Sequence, residues 1–164
     1  MGLISALKQH WALIDPTPVA IESYKFWRSV GYDHDGACSW LGNEQGEDSF
    51  DNALHGDHGE ATGPAQHHRD RIETIKAGCG IDIATASHLD QLRAIDWSTQ
   101  NEVGYRHVKN HILAAQGIRA KVTVIVAEYE HSGNQARDID RRTGFAEDWA
   151  ADVRIRQINT GPTS

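Results

Sequence analysis

Apolar residues recur at helical spacing along most of the chain, and one stretch interrupts them. Residues 48–65 hold three Gly, one Pro and few apolar side chains. That contrast confines the chain to a mainly α domain with one long loop or short hairpin. Ahead of the loop, Thr17-Pro18 reads as an N-cap followed by a first-turn proline. Ile21, Tyr24, Trp27 and Val30 form a helical stripe that Gly31 ends. Asp33 or Asp35 then caps a second helix that runs through Ala37, Trp40 and Leu41 to about Glu47.

Beyond the loop, a third helix is expected from near Gln66 through Ile72 and Ile75 to the break at Gly78-Cys79-Gly80. A fourth is expected from Thr85 to about Gln100, and a fifth from Glu102 to Gln116 with Gly117 as its stop. The β-branched run Lys121–Val126 favours a strand by propensity. No partner strand is evident, so the helical surroundings decide for helix. Gln135 to about Val153 completes the set, and the last eight or so residues are expected to fray.

At 164 residues the chain reads as a single domain over 1–164, with its core over about 17–153. A formal charge of −7 argues against a nucleic-acid partner. Basic residues nevertheless gather around Arg69–Arg71 and Arg137–Arg142. Leu3, Ile4 and Leu7 are broken by Lys8, Gln9 and His10, so no signal peptide is expected, and no apolar run approaches a membrane span. Two cysteines, Cys38 and Cys79, read as thiols in a reducing compartment. Most of the five tryptophans (Trp11, Trp27, Trp40, Trp97, Trp149) are expected in the core, with one or two available to stack on sugar rings.

The chemistry concentrates where the second helix meets the loop. Glu47 stands at a helix C-terminus, where the negative end of the macrodipole disfavours a carboxylate. Desolvation against the core and Phe50 adds to that effect, and both raise a Glu pKa. A raised pKa suits a general acid that protonates a glycosidic oxygen near neutral pH. Asp57 and Glu60 in the loop are candidates for the second carboxylate that sugar cleavage requires. A carboxyl separation of about 6.5–9.5 Å would imply inversion and about 5–5.5 Å retention. With neither facing Glu47, a lone-Glu lytic transglycosylase remains, in which the sugar's own hydroxyl closes an anhydro ring.

Several segments, in order, resemble the phage tail lysozyme family of the lysozyme-like superfamily. They are Gly42-Asn43-x-Gln45-x-Glu47-x-x-Phe50, then Gly56-Asp57-x-Gly59-x-x-x-Gly63 and Gln66-x-x-x-Asp70-Arg71, followed by Leu89-Asp90-Gln91-Leu92, Tyr129-Glu130 and Arg141-Arg142. The resemblance covers roughly residues 19–150. It implies a lysozyme-like helical domain that cleaves peptidoglycan, the bacterial cell-wall glycan, without a cofactor. It further implies a muramidase with Glu47 as catalytic acid and Asp57 as the second catalytic residue. Gln66 is implied to shape the sugar site and Tyr129 to face Glu47 from a late helix, and Ser49, Glu60 and His67 are further expected to bind substrate. Other phage tail proteins are expected partners, either in the virion or by release from the host cytoplasm through a holin pore.

The chain departs from the family pattern at three places. Asp48 replaces the serine after the acid, with Ser49 one place on; His67 replaces the aromatic after Gln66; and Ala65 replaces a bulkier residue. Such departures also suit a catalytically weak structural or binding tail module. A zinc-dependent hydrolase is the rival from another class, on His55-x-x-His58, His67-His68 and His107-x-x-x-His111. The last pair shares a helix face. It lacks the Glu that follows the first His of a zinc peptidase, and no third ligand has an obvious spacing, so no metal is expected.

Overall fold

The computed structural model describes residues 17–47 and 70–160 in full, and the backbone of 55–56, 61–62 and 67–69. Helix α1 (Thr17–Ser29) buries Ala20, Tyr24, Phe26 and Trp27. Its end follows from glycine. Gly31 takes φ +100°, its N–H donates to the Arg28 carbonyl, and the Tyr32 N–H reaches back to the Trp27 carbonyl at 3.2 Å. The accompanying apolar contact is the Tyr32 ring set edge-on to Trp27, at 5.6 Å between centroids.

Helix α2 (His34–Glu47) begins where the Asp33 carboxylate accepts the Gly36 N–H at 2.7 Å, so Asp33 is the cap. Residues 36–44 are buried on every side, which makes α2 the central helix of the domain. Trp40 stacks on Trp27 at 4.7 Å. Glu44, also buried, is satisfied by Ser23 Oγ and Trp27 Nε1, each at 2.8 Å, with His88 Nε2 at 3.3 Å. A buried carboxylate so furnished fixes α1, α2 and the start of the fourth helix to one another.

The interrupting stretch and the residues just after it hold a small antiparallel meander, β1 (His55–Gly56), β2 (Ala61–Thr62) and β3 (His67–His68), with His55 opposite Thr62 and Ala61 opposite His68. This is the short hairpin expected there, extended by one strand. Helix α3 (Arg69–Cys79) therefore starts later than Gln66, because residues 67–68 are engaged in backbone pairing. Helix α4 (His88–Asn101) is capped by Ser87, whose hydroxyl accepts the Asp90 N–H. Trp97 lies over Gly78, and a Cβ there would meet the indole at 2.0 Å, so glycine lets α3 and α4 close on each other.

The expected fifth helix is shorter than its sequence pattern. Glu102 turns extended at the end of α4 and Gly104 takes φ +94°, so turns fill 102–107 and α5 spans Val108–Ala114. The β-branched run is helical, as α6 (Ile118–Val124), and continues as a π-helical segment (Ile125–Glu130) closed by His131 at φ +52°. Packing overrides propensity here, because Val122 and Val126 bury against Ala146. Helix α7 (Gln135–Ala151) follows, then α8 (Val153–Thr160). Residues 153–160, expected to fray in part, are held by Ile155, which is buried in the main core, and by Asp152, which caps the Arg154 N–H at 2.8 Å.

Both thiols are free, with Cys38 buried and Cys79 partly so. Trp27 and Trp40 are core residues, and Trp149 is nearly so, while Trp11 lies outside the described residues. Among the described residues no helix is long and apolar enough to cross a membrane.

Helices α2 and α7 pack closely at Gly42. A Cβ there would stand 2.4 Å from the Arg142 carbonyl oxygen and 2.7 Å from Ala146 Cβ. Backbone cannot yield as a side chain can, so Gly42→Ala must push the helices apart. The expected cost is about 1–3 kcal/mol, seen as a drop of several degrees in Tm. A thermal melt of that variant equal to the native one would refute the constraint.

Candidate active site

Glu47 is the last residue of α2, with its side chain 14% exposed. Asn43, one turn earlier, points the same way. Both meet Arg142 on α7, which is almost fully buried. Its Nη2 donates to Glu47 Oε1 and its Nη1 to Asn43 Oδ1. Asn43 Nδ2 in turn donates to Glu130 Oε1 at 2.8 Å. One amide and one guanidinium thus link two carboxylates from distant parts of the chain. Arg141 Nη2 donates to the Gly46 carbonyl at 2.9 Å, which satisfies the C-terminal end of α2 just behind the acid.

Asp138, a turn before Arg142, completes the surroundings. Burial works against its charge, but the Ser132 hydroxyl and the neighbouring arginines hold its carboxyl below the usual range. Glu47 and Glu130 go the other way. Burial raises Glu47 against the opposing pull of Arg142 and Arg141. Burial also raises Glu130, to about 8, and the negative charge of Glu47 adds to it. Burial of the two carboxyls, and the charge of Glu47 acting on Glu130, together favour a proton held on the Glu47–Glu130 pair.

Glu47 therefore stands at the helix end with the raised pKa that its position predicts. Asp57, Ser49, Glu60 and Gln66 lie outside the described residues, and of His67 only the backbone, in β3, is described. Tyr129 requires a correction. It is 0% exposed, packed edge-on between Trp40 and Tyr105 with the Arg71 guanidinium over its face at 4.7 Å. A side chain so enclosed lines the core, not a cleft. Arg71 is fixed there by a two-pronged pair with Glu102, at 3.2 and 3.1 Å.

Sequence reasoning missed Asn43, Arg142 and Glu130 as members of this site. Each stands in a quoted motif, and the i, i+4 spacing of Asn43 and Glu47 marks a shared helix face. Glu130 sits on the π-helical segment, whose wider turn aims it where α-helical spacing would not.

A helix-end acid of raised pKa, held by arginine beside a second carboxylate, occurs in a mainly helical domain whose residues 18–153 match the family model for phage tail lysozyme. The chain belongs to the phage tail lysozyme family. No curated protein and no solved structure matches it. Membership implies a peptidoglycan-degrading enzyme, with the cell-wall glycan as its substrate and an association with phage.

The raised carboxyls predict that the stability of this family member depends on pH. A carboxyl whose pKa is raised on folding favours the folded state fully below its ordinary value of 4.5. That contribution is lost as pH rises through the folded value, about 8 for Glu130. The native Tm should therefore fall between pH 5 and 9, and Glu130→Gln should flatten the fall. Thermal melts across that range check it, and parallel curves for the two proteins would show that the pair holds no such proton.

Proposed function

We propose that this member of the phage tail lysozyme family is a muramidase, which hydrolyses the β-1,4 bond between N-acetylmuramic acid and N-acetylglucosamine, with Glu47 as general acid. The observation that carries the reading is the Glu47 carboxyl, mostly buried at a helix C-terminus and raised in pKa by that burial. Its proton passes to the glycosidic oxygen as the bond from the sugar's anomeric carbon to that oxygen breaks, and positive charge develops on the sugar ring. Arg142 holds the resulting carboxylate. Asp57 is the proposed second carboxylate, which positions water or stabilises the cationic sugar. Ser49, Glu60, Gln66 and His67 are proposed to bind the glycan around it.

The reading is tested with purified cell walls. Glu47→Gln should lower the rate of glycan release by roughly a hundredfold or more, while the helical circular dichroism signal is retained. Undiminished release by a folded Glu47→Gln protein would remove Glu47 from the role. Mass spectrometry of the released fragments checks the chemistry. Reducing muramic ends are expected from hydrolysis, whereas anhydro ends would replace the hydrolase with a lytic transglycosylase.

A further inference from the structure

His107 precedes the first residue of α5 and His111 lies one turn on, with ring centroids 4.9 Å apart. The π-helical segment packs against α5 and presents Glu128 to both rings. Glu128 Oε2 lies 2.7 Å from His111 Nδ1 and 3.2 Å from His107 Nε2, and one donor atom from each residue falls within 4.8 Å of the others. The two-histidine spacing is visible in the sequence, but the third donor comes from 17 residues beyond His111 and only the fold delivers it.

We propose that His107, His111 and Glu128 form a site for a divalent transition metal, with zinc as the fitting ion. Two imidazole nitrogens and one carboxylate oxygen are ligands of the type zinc takes, at about 2.0–2.2 Å. Bonds of that length at tetrahedral or somewhat smaller angles separate ligand atoms by about 3.0–3.4 Å. The 3.2 Å separation already fits, and the 2.7 Å one needs to open by only a few tenths of an ångström, at three side chains that are between 33% and 53% exposed. Exposure also leaves room for water at the remaining coordination positions and for entry of the ion. Among the described ion pairs Glu128 has no Lys or Arg partner, so no resident cation has to leave.

Bound metal would cross-link α5 to the segment that also carries Tyr129 and Glu130. The proposal concerns binding and tethering, stands apart from the chemistry at Glu47, and assigns the metal no part in glycan cleavage.

The full chain, freed of metal with a chelator and dialysed, is titrated with zinc chloride by calorimetry, and its melting is followed with and without zinc. The native protein should bind one ion per chain at this site, with Tm raised by several degrees at saturation. His111→Ala and Glu128→Gln should each weaken that binding at least tenfold and abolish the shift, with metal-free melting close to native. His107→Ala/His111→Ala serves as the control for the other histidines. Zinc taken up by the double variant as tightly as by the native chain, or a Tm shift that persists in it, would overturn the site. So would absence of any native binding at millimolar zinc.

Discussion

The contact of α2 with α7 at Gly42 governs everything around the acid. With no side chain at that position, the Arg142 backbone lies against α2, and the same residue sends its guanidinium to Asn43 and Glu47 on the adjoining face. Gly46 continues the groove, since a Cβ there would meet the aliphatic part of Arg142 at 2.7 Å. Close helix packing and placement of the charge are thus one feature. A wider separation would cost contact area and would also withdraw the cation from the two polar groups it satisfies.

The electrostatics show which effect dominates. Arg142 beside Glu47 would by itself depress the acid's pKa, as arginine does for Asp138. The two carboxylates differ in surroundings. Glu47 is mostly buried, and the Asp138 charge adds to the effect, so desolvation outweighs attraction. Asp138 accepts the Ser132 hydroxyl and faces three arginines, so attraction outweighs desolvation. Glu44, in the same helix as Glu47, has a third environment, with Ser23 and Trp27 as donors to its two oxygens. It ties helices together, with no role in the pair at the helix end.

Local signals made the first two helices readable. The Thr17-Pro18 start, the Gly31 stop and the Asp33 cap act within a few residues of where they stand, and α1 and α2 follow them. The position of Glu47 at a helix end was legible for the same reason. Partners were not, because residues 47, 130 and 142 meet only through the packing of three separate elements. Tyr129 was expected to face Glu47 on the family resemblance, and the packing of Trp40 and Tyr105 around it places it in the core instead. Strand β3 escaped notice because backbone pairing of two residues leaves no side-chain pattern. Helix α8 did have signals, in the Asp152 cap and the Ile155/Ile158 spacing, but its anchorage depends on a core that no local pattern displays.

The six residues from Ile125 to Glu130 deliver neighbouring side chains to different tasks: Glu128 to two histidines, Tyr129 to the aromatic core and Glu130 to the acid's network. Their directions depend on the wide helical register as much as on residue identity. Grafting Glu128-Tyr129-Glu130 onto an ideal α-helix of a designed scaffold would carry over the letters and lose the aim. For an engineer borrowing this site, the transferable unit is the backbone distortion together with its residues.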